Sequence, residues 1–194
     1  MANTLETEHV LDVYKKLVDV EEEISNELLD YVRIFLEEKG ELKGIDIGCG
    51  SGHHLIHKNI VGVDACKSYY KKIKNNQFVV ANCIELPFED ESFDYAICLC
   101  VFQHLSTEER RLQAISEMIR VIKKGSEGLI SIPSSESDVG DTYISIDNTS
   151  LYSHIYNEKM FVEFLNTVVQ KHNIEINKVC NRNNMWVIQF LKKT

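Results

Sequence analysis

The stretch that decides the fold is Gly44–Gly52, "GIDIGCGSG". It closes an apolar run, "LKGIDI", with glycines at three alternating positions, Gly48, Gly50 and Gly52. Glycines placed directly after a strand let the backbone turn sharply and approach a ligand without intervening side chains. We therefore predict a ligand-binding turn at the carboxyl end of a buried first strand.

A nicotinamide dinucleotide is the first alternative ligand to consider, because the sequence motif that binds it also follows the first strand. That motif is G-x-G-x-x-G at the start of a long helix, whose N-terminus faces the pyrophosphate. Here the third glycine comes one residue early, and only "HHLIHK" separates it from the next strand. Such a short crossover disfavours a pyrophosphate site.

Strands and helices alternate on both sides of this turn. We predict two N-terminal helices within 8–39, a surface loop over 134–150, and an antiparallel hairpin joined through "NRNN" at the end. This order is typical of an α/β fold: a mostly parallel sheet with helices on both faces. The predicted strands are 42–47, 59–64, 77–81, 94–100, 127–132, 174–181 and 185–192, and the later helices are 66–74, 107–123 and 157–171.

The bulk composition limits the classes of protein. A chain of 194 residues fits one domain, 1–194, which we divide into N-terminal helices (1–40), a cofactor-binding half (41–133), a loop (134–151) and a C-terminal substrate side (152–194). No apolar run approaches the roughly 20 residues of a membrane span, and the N-terminus lacks signal-peptide features, which predicts the cytoplasm or the nucleus. A net charge of −9 disfavours nucleic-acid binding through the overall field.

Neither the cysteines nor the histidines suggest a metal site. The six cysteines include no C-x-x-C pair, which predicts free thiols in a reducing compartment. His53, His54 and His57 form a trio, but no carboxylate or cysteine completes it, so we expect loop or cofactor-rim positions and no bound metal.

Three successive strand ends carry side chains suited to a nucleoside. Asp64 ends the second strand, and its carboxylate can accept both ribose hydroxyls. Asn82 and Ile84 follow the third strand and suit the edge and the face of a purine. Because ligands in such sheets bind at the carboxyl ends of the strands, we predict one nucleoside site there.

These motifs resemble the class I S-adenosylmethionine-dependent methyltransferases across nearly the whole sheet. The segments that carry the resemblance are "GIDIGCGSG", "GVD", "LPFEDESFDYAICLCVFQHL" and "MIRVIKKGSEGLISIP". It implies a Rossmann-like, seven-stranded sheet and S-adenosyl-L-methionine as cofactor. The cofactor-side residues that it implies are Asp46, Gly48, Gly50, Gly52, Asp64, Asn82 and Cys83. Asn82 stands where the family usually has Asp, so its contact with the adenine amino group is uncharged.

The segments "HLSTEERR", "LYSHIYNEKMFVEFL" and "NRNNMWVI" resemble a narrower family, the eukaryotic tRNA methyltransferases that esterify the carboxymethyl group on wobble uridine. The resemblance implies a tRNA anticodon loop as substrate and a small zinc-binding activator subunit as partner, for which the apolar strand 77–81 is the expected docking edge. The catalytic candidates are His104, Arg111, Tyr152, His154 and Arg182. The departures from the family pattern are Gln103, Leu151, Ser153 and Met185.

The helix after "VFQH" has two arginines in its first turns, where the helix dipole favours acidic residues. Ser106 and Glu109 form a capping-box pattern, which predicts a helix start at Thr107. Arg111 flanks the predicted core stripe and is our choice over Arg110. The alternative is that both arginines pair with Glu108, Glu109 or Glu117 on a solvated face, and that His104 donates to a local carbonyl.

The chemistry fits these residue types. The carboxyl group of the acceptor has a pKa of about 4 and is ionised at neutral pH, so its O-methylation needs no general base to remove a proton. Arginine, histidine and tyrosine donors can clamp that carboxylate. Two other functions stay open from the sequence: a small-molecule methyltransferase of the same superfamily, and a cofactor-binding scaffold that has lost catalysis.

Overall fold

A computed structural model describes residues 4–18, 26–71, 73 and 77–194. The chain begins with a helical segment, which we call the N-terminal cover: α1 (Thr4–Glu6), a π-helical turn (Thr7–Leu11) and α2 (Asp12–Leu17). The remaining elements, in chain order, are α3 (Asn26–Lys39), β1 (Gly44–Ile47), β2 (Ile60–Asp64), a 3-10 turn (Lys67–Lys71), β3 (Phe78–Val80), β4 (Phe93–Leu99), a 3-10 turn (Phe102–His104), α4 (Glu108–Val121), β5 (Ile122–Pro133), β6 (Gly140–Ile146), β7 (Thr149–Ile155), α5 (Glu158–Lys171), β8 (Ile174–Arg182) and β9 (Met185–Lys192).

Seven strands form one sheet in the order β3-β2-β1-β4-β5-β9-β8. The first five are parallel, and β9 pairs antiparallel with both β5 and β8. The predicted mostly parallel sheet with a C-terminal hairpin is confirmed. Because the strand order reverses between β1 and β4, a crevice opens at their carboxyl ends, where ligands bind in such folds.

Helices cover both faces of the sheet, as predicted. Phe35 of α3 packs edge-on against Tyr95 of β4 on one face. Met118 of α4 and Phe161 of α5 lie in the larger apolar cluster on the other face. Neighbouring residues of β4 point to opposite faces, so Ile97 joins the first cluster and Cys98 the second. This two-sided burial explains the continuous apolar run in β4.

The predicted loop over 134–150 is wrong, because most of it forms a β-hairpin. β6 and β7 pair antiparallel, and both turn residues, Asp147 and Asn148, have positive φ angles of 45° and 61°. Asp and Asn tolerate that left-handed conformation, and it suits a tight hairpin turn. Leu151 and Tyr152 pack against the N-terminal cover. This tertiary contact stabilises strands whose polar sequence suggested a loop.

Two further local predictions need correction. Thr107, not Ser106, caps α4, because the Thr107 side chain accepts from the Arg110 amide and the helix begins at Glu108. Ser106 instead donates through its amide and its hydroxyl to Glu6, at 2.8 and 2.9 Å. The predicted helix 66–74 is a 3-10 turn at Lys67–Lys71; Cys66 and Ile73 lie outside the turn, and positions 72 and 74 lie outside the described residues.

Candidate active site

A cavity lies at the carboxyl ends of the first four strands, beneath the N-terminal cover. The cover contributes Glu6, Val10, Leu11 and Tyr14 to its wall. From the sheet side it is lined by Ile47, Gly48, Gly50, Val63, Asp64, Ala65, Cys66, Tyr69, Ala81, Asn82, Cys83, Leu99, Cys100, Val101, His104 and Leu105. Five of the seven predicted cofactor-side residues therefore meet at one place.

The glycine turn needs glycine for two physical reasons. Gly48, Gly50 and Gly52 have φ angles of +76°, +51° and +85°, in the left-handed region that L side chains rarely adopt. A Cβ on Gly48 would also lie 2.1 Å from Cγ2 of Val101, which is an overlap. Gly52 shapes the turn without lining the cavity. The sequence motif thus encodes a backbone shape at the cavity wall.

Asp64 is held rigidly at the cavity wall. Its Oδ1 accepts from the Cys66 amide at 2.7 Å, and its Oδ2 accepts from the Gly50 amide at 3.0 Å. Asp64 lines the cavity, and an ionised carboxylate only accepts hydrogen bonds, as contact with hydroxyl donors requires. The geometry fits the predicted ribose contact.

Asn82 and Cys83 line the cavity at the end of β3. Oδ1 of Asn82 accepts from the Ile84 amide at 3.2 Å, so the side chain stabilises its own turn. Burial raises the pKa of the Cys83 thiol to about 12, so the thiol stays protonated and non-nucleophilic at neutral pH. Both residues can contact a purine, and neither is suited to covalent chemistry.

Asp46 lies in β1 and does not line the cavity. It is 1% exposed, and its Oδ2 has no hydrogen-bond partner among the described residues. Nδ1 of His54 is 3.7 Å away from that oxygen. A buried carboxylate oxygen without a donor is costly, and such atoms often mark a ligand site. Together with the glycine turn and Asp64, this orphaned oxygen fits a cofactor that has both hydroxyl and ammonium donors.

His104 links the cavity to a second group of side chains. Its Nδ1 donates to the backbone carbonyl of Tyr152 at 2.8 Å, so Nε2 is the acceptor for the Tyr14 hydroxyl at 3.0 Å. Burial lowers the pKa of His104 to about 4, so the imidazole is neutral at pH 7. The carbonyl is 48 residues away in sequence, so the alternative of a local helix-entry contact is wrong. A neutral acceptor nitrogen cannot clamp a carboxylate by itself.

The second group, which we call the Arg111 cluster, consists of Arg111, Asp141, Tyr152, His154 and Tyr156. Arg111 is 5% exposed, and its Nη1 donates to the carbonyl of Leu105 at 2.7 Å. Oδ1 of Asp141 accepts from the Tyr152 hydroxyl at 2.7 Å and from Nδ1 of His154 at 2.6 Å. These side chains come from α4, β6, β7 and the segment after β7. The structure thus brings together three of the five catalytic candidates.

The charges in the Arg111 cluster shift the pKa values of its members. Burial raises the pKa of the Asp141 carboxyl, but the bonds from His154 and Tyr152 outweigh burial and leave the pKa lowered. Burial raises the pKa of Tyr152 to about 12, and Asp141 adds to the shift. Burial lowers the pKa of His154 despite its carboxylate partner. At neutral pH the cluster therefore holds an arginine cation, a carboxylate and two hydrogen-bond donors.

The two arginines have different partners, and neither matches the solvated-face alternative. Arg110 binds both oxygens of the Glu6 carboxylate, at 2.6 and 2.5 Å, and so ties α4 to the N-terminal cover. Burial raises the pKa of Glu6, while Arg110 and Ser106 outweigh it and lower the pKa overall. Arg111 is buried next to Tyr152 instead. Glu6, Tyr14 and Asp141 are site residues that the sequence reasoning missed, because no local pattern marks them.

The structure does not bring Arg182 to this cluster. Arg182 ends β8 on the same face as Cys180 and Lys178, which lie on the α3 side of the sheet. Its charge acts on Tyr31 of α3. The side-chain alternation along β8 therefore directs Arg182 away from Arg111.

Nearby aromatic and histidine side chains have packing roles. Trp186 stacks on Phe161, with ring centroids 4.2 Å apart. Nε2 of His57 pairs with the carbonyl of Leu36 at 3.2 Å. Among the residues that the structure describes, no cluster of His, Cys, Asp or Glu could hold a metal ion, and no helix is long and apolar enough to cross a membrane.

Comparison with known proteins agrees with this geometry. Residues 45–130 match the family model of a methyltransferase domain, and solved S-adenosylmethionine-dependent methyltransferases share the fold. The fold is that of a class I S-adenosylmethionine-dependent methyltransferase. The matched residues of this methyltransferase domain run from β1 into β5, so they include the glycine turn, Asp64 and α4.

Relatives by sequence narrow the comparison. The chain is 36% identical over 138 residues to a human protein named probable tRNA methyltransferase 9B, which covers 68% of this chain and 30% of that protein. It is 32% identical over 133 residues to a tRNA (carboxymethyluridine(34)-5-O)-methyltransferase of Schizosaccharomyces pombe, which covers 66% of this chain and 58% of that protein. The chain thus spans only part of the length of the curated relatives it matches.

One structural neighbour includes a second subunit. It is the complex between the Haloferax volcanii Trm112 methyltransferase activator and a putative methyltransferase, with a TM-score of 0.72, 12% identity and 98% coverage of each chain. At that identity the likeness concerns the methyltransferase fold alone.

Proposed function

We propose that this protein transfers a methyl group from S-adenosyl-L-methionine to the carboxymethyl group of a wobble uridine in tRNA, forming the methyl ester. One observation carries the proposal: a buried arginine, Arg111, lies with tyrosine and histidine donors beside the cavity at the strand ends. The resemblance to tRNA (carboxymethyluridine(34)-5-O)-methyltransferases over about two thirds of the chain supports the choice of acceptor.

The cofactor supplies an electrophilic methyl group when it is bound. Asp64 would bind the ribose hydroxyls, the turn at Gly48 and Gly50 would admit the methionine part, and Asp46 offers an unpaired carboxylate oxygen behind that turn. Asn82 and Cys83 would contact the adenine. The N-terminal cover forms one wall of the cavity, so it excludes water from that side and strengthens polar contacts there.

The acceptor is a carboxylate that is already ionised at neutral pH, so the protein needs no general base. Its residues have to position the anion and remove part of its water. Arg111 provides fixed positive charge, and Tyr152 and His154 provide directional donors. His104 keeps the strand end rigid, because it joins Tyr14 of the cover to the backbone of β7.

A small zinc-binding activator subunit is the proposed partner. β3 is an edge strand of the sheet, and Val80 at its end is 47% exposed. An unpaired apolar edge of this kind invites strand addition. We expect the isolated chain to be poorly soluble and weakly active. A monodisperse and fully active chain, purified alone, would contradict this part of the proposal.

The test is incubation of the chain, with and without the activator, with methyl-labelled cofactor and total tRNA, followed by mass analysis of the nucleosides. The expected product is the methyl ester of 5-carboxymethyluridine. Label in a metabolite extract but in no RNA would indicate a small-molecule methyltransferase instead. Cofactor binding by calorimetry without label transfer to either pool would indicate a scaffold.

A further inference from the structure

Asp141 already occupies part of the Arg111 cluster. It lies on β6 directly opposite His154 on β7, in register across the hairpin. One oxygen of its carboxylate accepts from both Tyr152 and His154, at 2.7 and 2.6 Å. These are the two donors that the proposed function assigns to the acceptor's carboxylate. An internal carboxylate therefore uses the donors that an external carboxylate would need.

Deeper in the same cluster, two polar atoms have no such partner. Arg111 and Tyr156 are 5% and 2% exposed. Nε of Arg111 and the Tyr156 hydroxyl are buried without a hydrogen-bond partner among the described residues. An unpaired polar group in the interior destabilises the protein, and a charged one does so more strongly. A buried cationic nitrogen and a hydroxyl, both unpaired and close to two further donors, indicate a site built for an anion.

The exposure of the side chains shows how an external anion could enter. The Asp141 side chain is 63% exposed, whereas that of His154 is only 12% exposed. Asp141 thus covers the donors from the solvent side. Its carboxylate is already largely hydrated, so its rotation into water requires little change in solvation. Two carboxylates cannot both stay ionised on one set of donors without a penalty. An incoming carboxylate must therefore displace Asp141.

We infer that Asp141 is an internal placeholder: its carboxylate occupies the anion position that Tyr152 and His154 offer next to Arg111, and the carboxylate of the acceptor displaces it. The identity of the acceptor rests on the proposed function, whereas the carboxylate site itself does not. While it is in place, Asp141 keeps the donors satisfied and the cluster ordered. Its removal leaves the same donors available to an external carboxylate.

Binding of acetate to the full chain tests the site without any RNA. The ring signals of His154, assigned by their loss in His154→Gln, are followed by NMR as acetate is added. We expect a saturable shift in Asp141→Ala, a smaller one in Asp141→Asn, whose amide oxygen still accepts, and the weakest response in the wild type. Asp147→Asn is the matched control, because it removes the same charge from the turn of the same hairpin, at a residue with a φ of 45° that Asn adopts readily.

Kinetics with tRNA and the activator test the displacement itself. We expect Asp141→Ala to lower KM for the tRNA about threefold to tenfold, the value of one ordinary hydrogen bond, while Asp147→Asn leaves KM unchanged. A raised KM in both Asp141 variants would overturn the inference and make Asp141 a positioning residue for His154. Absence of an acetate response in both variants, with melting temperatures like that of the wild type, would also overturn it. If the wild type forms no methyl ester, the proposed function fails, and the acetate titration still decides the inference.

Discussion

The two halves of the candidate site are built in different ways. The cofactor cavity is formed by consecutive strand ends, and its shape depends on backbone conformation at Gly48 and on backbone amides that fix Asp64. The Arg111 cluster is formed by side chains that converge from a helix and from both strands of a hairpin. The cavity should therefore tolerate many side-chain substitutions but few substitutions that alter backbone conformation. The Arg111 cluster should tolerate changes in backbone conformation better than substitutions of its side chains.

Substitution of Gly48 is the strongest test of the cofactor cavity, the half of the site that depends on backbone conformation. Gly48→Ala places a side chain on a residue with left-handed backbone conformation, which strains the backbone. The added Cβ would also lie 2.1 Å from Cγ2 of Val101, so the two carbon atoms would overlap. We expect a loss of about 4 kcal/mol in unfolding free energy, from strain of about 1–2 kcal/mol plus overpacking of about 1–3 kcal/mol, and a loss of cofactor binding. Chemical denaturation and calorimetry measure the two effects.

Gly125→Ala is the matched control for Gly48→Ala. Gly125 has a φ of +78° but no atom within 4 Å of an added Cβ, so it carries the strain without the overlap. Equal losses in the two variants would show that packing against Val101 contributes nothing.

His104 joins the two halves, and its burial predicts a pH dependence. The folded pKa is lowered from 6.5 to about 4, so the unfolded chain binds more protons between these values. The contribution of His104 to stability is fully present above pH 6.5 and is lost as the pH falls towards 4. We expect the wild type to lose about 3 kcal/mol more than His104→Asn between pH 7 and pH 4. Parallel slopes of unfolding free energy against pH would contradict this assignment.

The ion pair between Glu6 and Arg110 ties α4 to the cover, which forms part of the cavity wall. Arg110→Ala leaves a carboxylate that is 7% exposed without its cation. We expect a loss of about 2 kcal/mol in unfolding free energy, less than the ~3–5 kcal/mol of a fully buried pair, because the Arg110 side chain is 20% exposed. Cofactor affinity should fall as well.

Arg33→Ala serves as the control for Arg110→Ala. It breaks exposed pairs with Glu37 and Asp30 on α3, a helix that does not line the cavity, and should have no measurable effect on stability or cofactor affinity. If Arg110→Ala behaves like Arg33→Ala, the cover is held by its apolar contacts alone.

Arg111→Lys tests the Arg111 cluster, the half of the site that depends on side chains. Lysine keeps the charge but loses the planar fork of donors, so methyl transfer should fall about tenfold while the Kd for the cofactor stays unchanged. Arg120→Lys is the control, because Arg120 lies near the other end of α4 and pairs with Glu117 and Asp90. A loss of cofactor affinity in Arg111→Lys as large as its loss of methyl transfer would show that the Arg111 cluster and the cofactor cavity do not act independently.

Sequence reasoning predicted the first half of the site far better than the second. The turn at Gly48 and the carboxylate of Asp64 follow from local patterns, because strand ends in a parallel sheet meet at one edge. Arg111 was predicted from its place beside the core stripe of α4. The sequence does not reveal Asp141, because its polar segment predicts a loop and the pairing that places it opposite His154 exists only in the folded hairpin.

The sequence by itself determined the succession of strands and helices along the chain, the glycine turn and the residues at the strand ends, because periodicity and turn chemistry are local. Only the tertiary structure decided the capping of α4 by Thr107, the partner of Arg110, the orientation of Arg182 and the polar contacts of Tyr152. Glu6, which takes Ser106 away from the cap and pairs with Arg110, lies 100 and 104 positions from these two residues. The contact of Tyr152 with Asp141 depends on the pairing of β6 with β7, and the orientation of Arg182 depends on the face to which a strand residue points. Contacts at that distance are set by packing, which no local pattern encodes.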